Sequence, residues 1–559
     1  MNVVLALLGA APLVLFFVLL GVFKLATHWC AAGALALAAL IAWLGFGMSA
    51  AMVGNSALYG LAFGITPILL IVIAAVWLYN LTVVSGRSDD VRAVFAAVGK
   101  GDIRIQALLV GFSFCGLLEG LAGFGAPVAI VAAMLLSFGI PAIKAAITTM
   151  VGNAISVAFG AMAIPVTTAA AIGGVGSQDL ARTIISIVPI IAFVVPFAML
   201  VILDGARGLR QLWYVALIQG AATVLGQVVS VCFISYELTS VLAPLVGFGV
   251  TAAALVWLHP TTPEEWRSAS TAGATGAAGA TKLSPQRTLL ALAPYALVVV
   301  VFAVAKLWRF VVDVPAALAS TDIKFGWPGL YGKLLNADGS VSTGAIFSLQ
   351  TLSHPATMIA LTALIVCVLY ARFAKAGAGV AAGAEAGAGA EATDRRRFTF
   401  GTGIRALWDT IWTLRWSLLT IALVMCLAYV MNFSGQTAAI GSALASTGAF
   451  FAFLSPILGW LGTAVTGSAT SSNALFASMQ STAGAGVGVD PSLLLAANDI
   501  GGPLGKIISP QNLAIAATAI EKPGCEAELL RKATPWSLGL LLMLCVLILL
   551  ASLGVLPVA

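Results

Sequence analysis

Apolar runs of about 20 residues recur along the whole chain, from 2–23 through to 535–557. A run of that length is what an α-helix needs to cross the hydrocarbon core of a bilayer. In that core each backbone N–H and C=O must be paired within the protein, which leaves helices and closed barrels as the spanning structures. The run lengths select helices. The composition agrees: 9% of the 559 residues are charged and 61% are hydrophobic, where soluble domains carry about 25% charged residues. The expected fold class is an all-α polytopic membrane protein. Some runs read as hairpin arms or half-helices, so about 12 to 14 transmembrane helices are expected, with re-entrant hairpins and broken helices.

Loop charge sets the expected organisation. Lys24, Arg87, Arg92, Lys100, Arg104, Arg207 and Arg210 mark early cytoplasmic loops, and Arg267, Lys282, Arg287 and Arg395–Arg397 mark later ones. The division that follows is a first membrane half (1–258), a cytoplasmic linker (259–287) and a pair of helices (288–374) around an external loop (306–354). A low-complexity cytoplasmic linker (375–410) and the core of a second half (411–559) complete it. Residues 1–23 carry no basic segment ahead of their apolar run, which predicts a retained first helix with its N-terminus outside. The net charge of +6 lies in scattered loops, so the expected partner is the lipid bilayer and not nucleic acid. The seven cysteines lack metal-ligand spacing and read as buried thiols. His28, His259 and His354 stand apart, so neither metal nor cofactor is expected.

Two polar, Gly-rich stretches interrupt the apolar pattern: AVTGSATSSNALF (464–476) and NDIGGPLGKIISPQNLAIA (498–516). Irregular backbone at membrane depth survives only where it is buried in protein or lines a cavity. A shift of 345 residues places Asn153 on Asn498, Gly160 on Gly505 and Pro165 on Pro510, and brings LAGFGAPVAI (121–130) close to the 464–476 hairpin. Each half therefore carries a hairpin or break, at 119–165 and at 464–512. Loop assignment puts the two hairpins on opposite sides, as inverted repeats require. Paired interruptions of this kind point to the binding site of a secondary transporter.

Lys506 has apolar neighbours and broken backbone around it at Gly501–Pro503 and Pro510, which predicts a cavity-facing counter-charge for an anion. Glu119 is the lone carboxylate between Asp102 and Asp179. It reads either as a proton carrier or as half of a structural ion pair, with Lys506 among the possible partners. Asp499 reads as a second proton carrier or as a helix N-cap, the cap being favoured. Ser468, Thr470, Ser471, Ser472 and Asn473 cluster at one hairpin, where free N–H groups and hydroxyls suit a carboxylate and a 2-hydroxyl. Gly123, Gly125, Asn153, Ser509 and Gln511 are further binding candidates at the other breaks. Nucleotide loops, nucleophile elbows and metal-ligand spacings do not stand out, so an enzyme is not expected.

The stretches LLEGLAGFGAPVAI (117–130), AFGAMAIP (158–165), LDGARG (203–208), FLSPILGWLGTAVTGSATSSNALFASMQ (453–480) and GGPLGKIISPQNLAIA (501–516) resemble the lactate permease family. The resemblance implies proton-coupled uptake of L-lactate and glycolate across the inner membrane, with Glu119 and Lys506 at family-motif positions. Members commonly read TGSDTSSN where this chain has Ala469. Asp499 replaces a neutral residue nearby and stands in a position to compensate. The alternative reading is a sodium-coupled di- or tricarboxylate carrier of the same broad fold, with a membrane receptor or enzyme as the third.

Overall fold

The computed structural model describes residues 3–23, 25–96, 101–121, 125–258, 262–267, 284–309, 312–334, 345–373 and 398–558. Much of the expected linkers 259–287 and 375–410, together with Gly123, Lys24 and Lys100, lies outside the described residues. Ten described helices are long and apolar enough to cross a membrane. One of them, Ser177–Ile234, has 58 residues. That is about 87 Å of helix, far more than one crossing needs. Gly205, at φ 62° and ψ −146°, breaks it, and LDGARG turns the chain back. Ile103–Leu121 is one arm of a hairpin, whereas Val3–Gly21 and the broken segment 491–519 are further candidates to cross, which gives twelve candidate crossings and two hairpins among the described residues.

Contacts divide the connecting segments into two groups. On one side Arg287 pairs with Asp90 at 2.5 Å, Arg104 with Asp204 at 2.8 Å and Arg207 with Glu265 at 2.5 Å. On the other side the Tyr59 hydroxyl donates to Ile346 O, Lys306 pairs with Glu237 and the Gln436 amide donates to Ala38 O. The described basic residues Arg104, Arg207 and Arg287 thus share one face of the bundle. The opposite face carries a two-stranded antiparallel sheet, Ile323–Gly326 with Ile346–Leu349, which sequence reasoning did not anticipate. The cysteines are free, and five are buried as expected; Cys232, where Ser177–Ile234 ends, is exposed and Cys525, just before Glu526–Ser552, is half-buried.

The two halves interlock. The first hairpin has arms Ile103–Leu121 and Ala126–Ser137, followed by Ala142–Ala154, a break at 160–163 and Ile164–Gly173. The second has arms Phe451–Thr466 and Ala469–Val487, followed by Pro491–Lys506, a break at 507–509 and Pro510–Ala519. Pro510–Ala519 packs on Ala126–Ser137, and Ile164–Gly173 packs on Ala469–Val487. Each half thereby supplies the wall against which the other half's hairpin rests.

Local chemistry makes the breaks. Gly160, Met162 and Ala163 all have positive φ, at 53°, 48° and 55°. For Met162 and Ala163 this costs on the order of 1–3 kcal/mol each. Pro165 and Pro510 then sit in the first turn of the next helix, where a missing N–H is harmless. The Ser509 side chain caps the second restart by accepting from Asn512 N.

Two expectations are corrected. Asp499 is not an N-cap: it lies inside Pro491–Lys506, whose cap is Asp490, accepting from Ser492 N at 2.9 Å. Gly501–Pro503 does not break the helix either. Gly501 and Gly505 lie directly against the backbone carbonyls of Pro456 and Trp460. They form a small-xxx-small stripe that lets Pro491–Lys506 press onto Phe451–Thr466.

Candidate substrate site

A cavity of about 920 Å³ lies where the second hairpin tip, both breaks and the helix Phe400–Phe433 meet. Lys506 enters from the last turn of Pro491–Lys506 and Glu119 from the last turn of the first hairpin's first arm. Lys506 Nζ stands 2.9 Å from Glu119 Oε1, and their side chains are 9% and 4% exposed. This pair joins the two halves across 387 residues of sequence. The Asn153 amide donates to Glu119 Oε2 at 2.9 Å, and the Cys115 thiol donates to Asn153 Oδ1. Both carboxylate oxygens are therefore held, and Asn153 touches Glu119 without lining the cavity. Among the described lining residues Lys506 and Glu119 are the only Lys, Arg, Asp or Glu side chains.

The second hairpin tip supplies neutral polarity. Ser468 N-caps Ala469–Val487 by accepting from Ser471 N. The first-turn N–H groups of Ala469 and Thr470 have no partner within the helix. Thr466, Ser468, Thr470 and Ser471 line the cavity, as does Gln511 from the second restart. N–H groups and hydroxyls at the positive end of Ala469–Val487 have the chemistry that suits an anion.

Other candidates stand behind this wall. Ser472 donates to Gly459 O, and Ser509 donates to Lys506 O. Gly125, at φ 90°, initiates the second arm of the first hairpin and packs against Ile515. Asn473 is fully buried; it donates to Pro165 O at 3.0 Å and to Asp499 Oδ1 at 2.5 Å, and accepts from Asn498 at 2.8 Å. Asp499 Oδ2 is buried with no partner among the described residues. Ala469 lines the cavity and faces Gly502, one helical turn from Asp499 on the same interface.

Sequence reasoning missed His28, Trp416, Ser417 and Thr420, which complete the wall opposite the hairpin. The His28 and Trp416 rings stack with centroids 4.9 Å apart. At this end Leu25 and Trp416 are exposed, 43% and 53%. The helices Thr27–Leu44 and Ala50–Val84 lie between the 22–26 turn and the 85–102 segment. That places this end of the cavity on the basic side.

A bundle of apolar helices, interrupted in pairs around a cavity that holds a buried ion pair, defines a multi-pass membrane transport protein. The family model described as L-lactate permease matches residues 5–379 and 393–554. The chain is 35% identical to glycolate permease GlcA of Escherichia coli K12, covering 95% of this chain and 93% of that one. It is 32% identical to the L-lactate permease of Bacillus subtilis 168, covering 98% and 95%. This protein belongs to the L-lactate permease family. Its relatives are named permeases, which are transporters and not enzymes. Among solved structures it is similar to the Alcanivorax borkumensis YdaH transporter, at 16% identity and TM-score 0.42, over 88% of this chain and 86% of that one.

Proposed function

We propose that this protein is a secondary active transporter that takes up L-lactate and related 2-hydroxymonocarboxylates, including glycolate, together with a proton. The observation that carries the proposal is the buried Lys506–Glu119 pair facing the cavity. A substrate carboxylate competes with Glu119 for the Lys506 ammonium. Once displaced, Glu119 would be an uncompensated buried charge, which costs several kcal/mol. Taking up one proton removes that charge. The loaded site then holds Lys506 with the substrate anion and a neutral Glu119, so substrate and proton travel as a neutral set. Thr466, Ser468, Thr470, Ser471 and Gln511 hydrogen-bond the carboxylate and the 2-hydroxyl. Asn153 keeps Glu119 oriented. Ser472, Asn473 and Ser509 hold the hairpin and the restart in place, and Asp499 is the second candidate for the proton.

One cation at the site favours a monocarboxylate over a doubly charged acid. The basic segments on one face support a cytoplasmic assignment for that face, an external N-terminus and residence in the bacterial inner membrane. The cavity is then open toward the cytoplasm.

The test is uptake of labelled L-lactate and glycolate into proteoliposomes with and without a proton gradient, with sodium varied separately. We expect gradient-driven uptake that is indifferent to sodium. Glu119→Gln should lose the response to the gradient yet retain lactate exchange, and Lys506→Ala should lose both. Full uptake by Lys506→Ala, or dependence on sodium alone, would overturn the proposal.

A further inference from the structure

The cavity is far larger than lactate or glycolate require. At about 920 Å³ it sits near the top of the range, about 300–1,000 Å³, typical of sites for drug-sized ligands. Both of its charged side chains lie on one wall. The ion pair and the hairpin hydroxyls occupy the wall made by the hairpin tip and the restarts. Leu20, Ile164, Trp416, Ile421 and Val465 add apolar surface, with Thr27, His28, Ser417 and Thr420 among them. Trp416 is half exposed, its ring stacked on His28. A three-carbon acid anchored by its carboxylate leaves that surface wet. An apolar substituent on the same 2-hydroxy acid would cover it.

We infer that the site also accepts 2-hydroxymonocarboxylates with longer apolar or aromatic side chains, bound with the carboxylate at Lys506 and the side chain along Trp416 and Ile421. This rests on the transport reading above. Absence of other Lys, Arg, Asp or Glu side chains among the described lining residues restricts the class to acids without a second charge. Burying one methylene strengthens binding by about fourfold at most. The affinity should therefore rise along the series lactate, 2-hydroxybutyrate, 2-hydroxyvalerate, and rise again for 3-phenyllactate.

The experiment is lactate exchange in proteoliposomes without an imposed gradient, which is insensitive to passive leak of the longer acids, with each acid added as competitor. The expected result is a half-inhibiting concentration that falls by up to about fourfold per added methylene. Trp416→Ala should flatten the series, raising the value for 3-phenyllactate more than that for lactate itself. Competition that weakens with each methylene while lactate still exchanges would overturn this inference and leave the transport reading intact. A series unchanged by Trp416→Ala and by Ile421→Ala would overturn the placement of the side chain. No lactate exchange at all would overturn the transport reading, and this inference with it.

Discussion

Asn473, on the second hairpin, donates its amide to the carbonyl of Pro165, the residue at which the first half's broken helix restarts, at 3.0 Å. The same amide donates to Asp499 Oδ1, so one buried side chain joins both halves and holds an acid. Asn473→Leu keeps the branched shape but removes every donor and acceptor. It should lower the unfolding free energy in detergent by about 1–3 kcal/mol, because two buried acceptors and the Asn498 amide lose their partner. An unfolding curve identical to wild type would show that the contact carries no stability.

The Lys506–Glu119 pair should behave as a unit. Removing either partner leaves a buried unpaired charge, a loss of about 3–5 kcal/mol. Lys506→Met and Glu119→Gln made together should be closer to wild-type stability than either alone. A double-mutant cycle by thermal unfolding measures this coupling; simple additivity of the two losses is the result that counts against it.

Arg104 and Arg207 share Asp204 but differ in burial. Arg104 is fully buried, with Asp102 and Asp204 both at 2.8 Å, while Arg207 is 48% exposed. Arg104→Met should therefore destabilise by about 3–5 kcal/mol, and Arg207→Met by far less, because solvent screens an exposed pair. Equal effects on the unfolding midpoint would contradict this ranking.

Gly205 has open space where a Cβ would go, so any cost of Gly205→Ala is conformational and not steric. At φ 62° and ψ −146° the cost should be on the order of 1–3 kcal/mol. Gly54→Ala, also with open space but without the positive φ, is the control and should cost nothing measurable.

His354 lies just before Pro355–Phe373, outside the spans, where its Nδ1 accepts from Ala356 N. Burial holds its imidazole down at about 4, from an ordinary 6.5. The folded value is depressed, so between pH 6.5 and 4 the unfolded chain binds more protons than the folded one. Its contribution is complete above pH 6.5 and is lost as pH falls toward 4, by up to about 1.4 kcal/mol per pH unit. Unfolding curves of wild type and His354→Gln between pH 4 and 7 should converge as pH falls.

The sequence made the helices legible through run length, and the two breaks through Pro165, Pro510 and the matched Asn153 and Asn498. Lys506 and Glu119 stood out because a charge in an apolar run demands a partner, although only the fold brings them together. The glycine at 501 misled, since a glycine that breaks a helix and one that admits a neighbouring backbone have the same local signature. Asp499 misled in the same way, because capping propensity is local and its partner, Asn473, is not. His28 and Trp416 were invisible as site residues: their place at the cavity depends on how Phe400–Phe433 and the 22–28 turn pack, which no local pattern records.

The interlocking of the halves also sets an order of events during synthesis. Ala126–Ser137 leaves the ribosome long before Pro510–Ala519, the surface on which it rests. About 370 residues separate them, so at about 5–20 residues per second the first hairpin waits tens of seconds for its seat. For that interval Glu119 has no Lys506 beside it. A nascent chain stalled before residue 491 should hold the first hairpin loosely and expose it to protease, and the same site should become protected only after residue 519 has emerged.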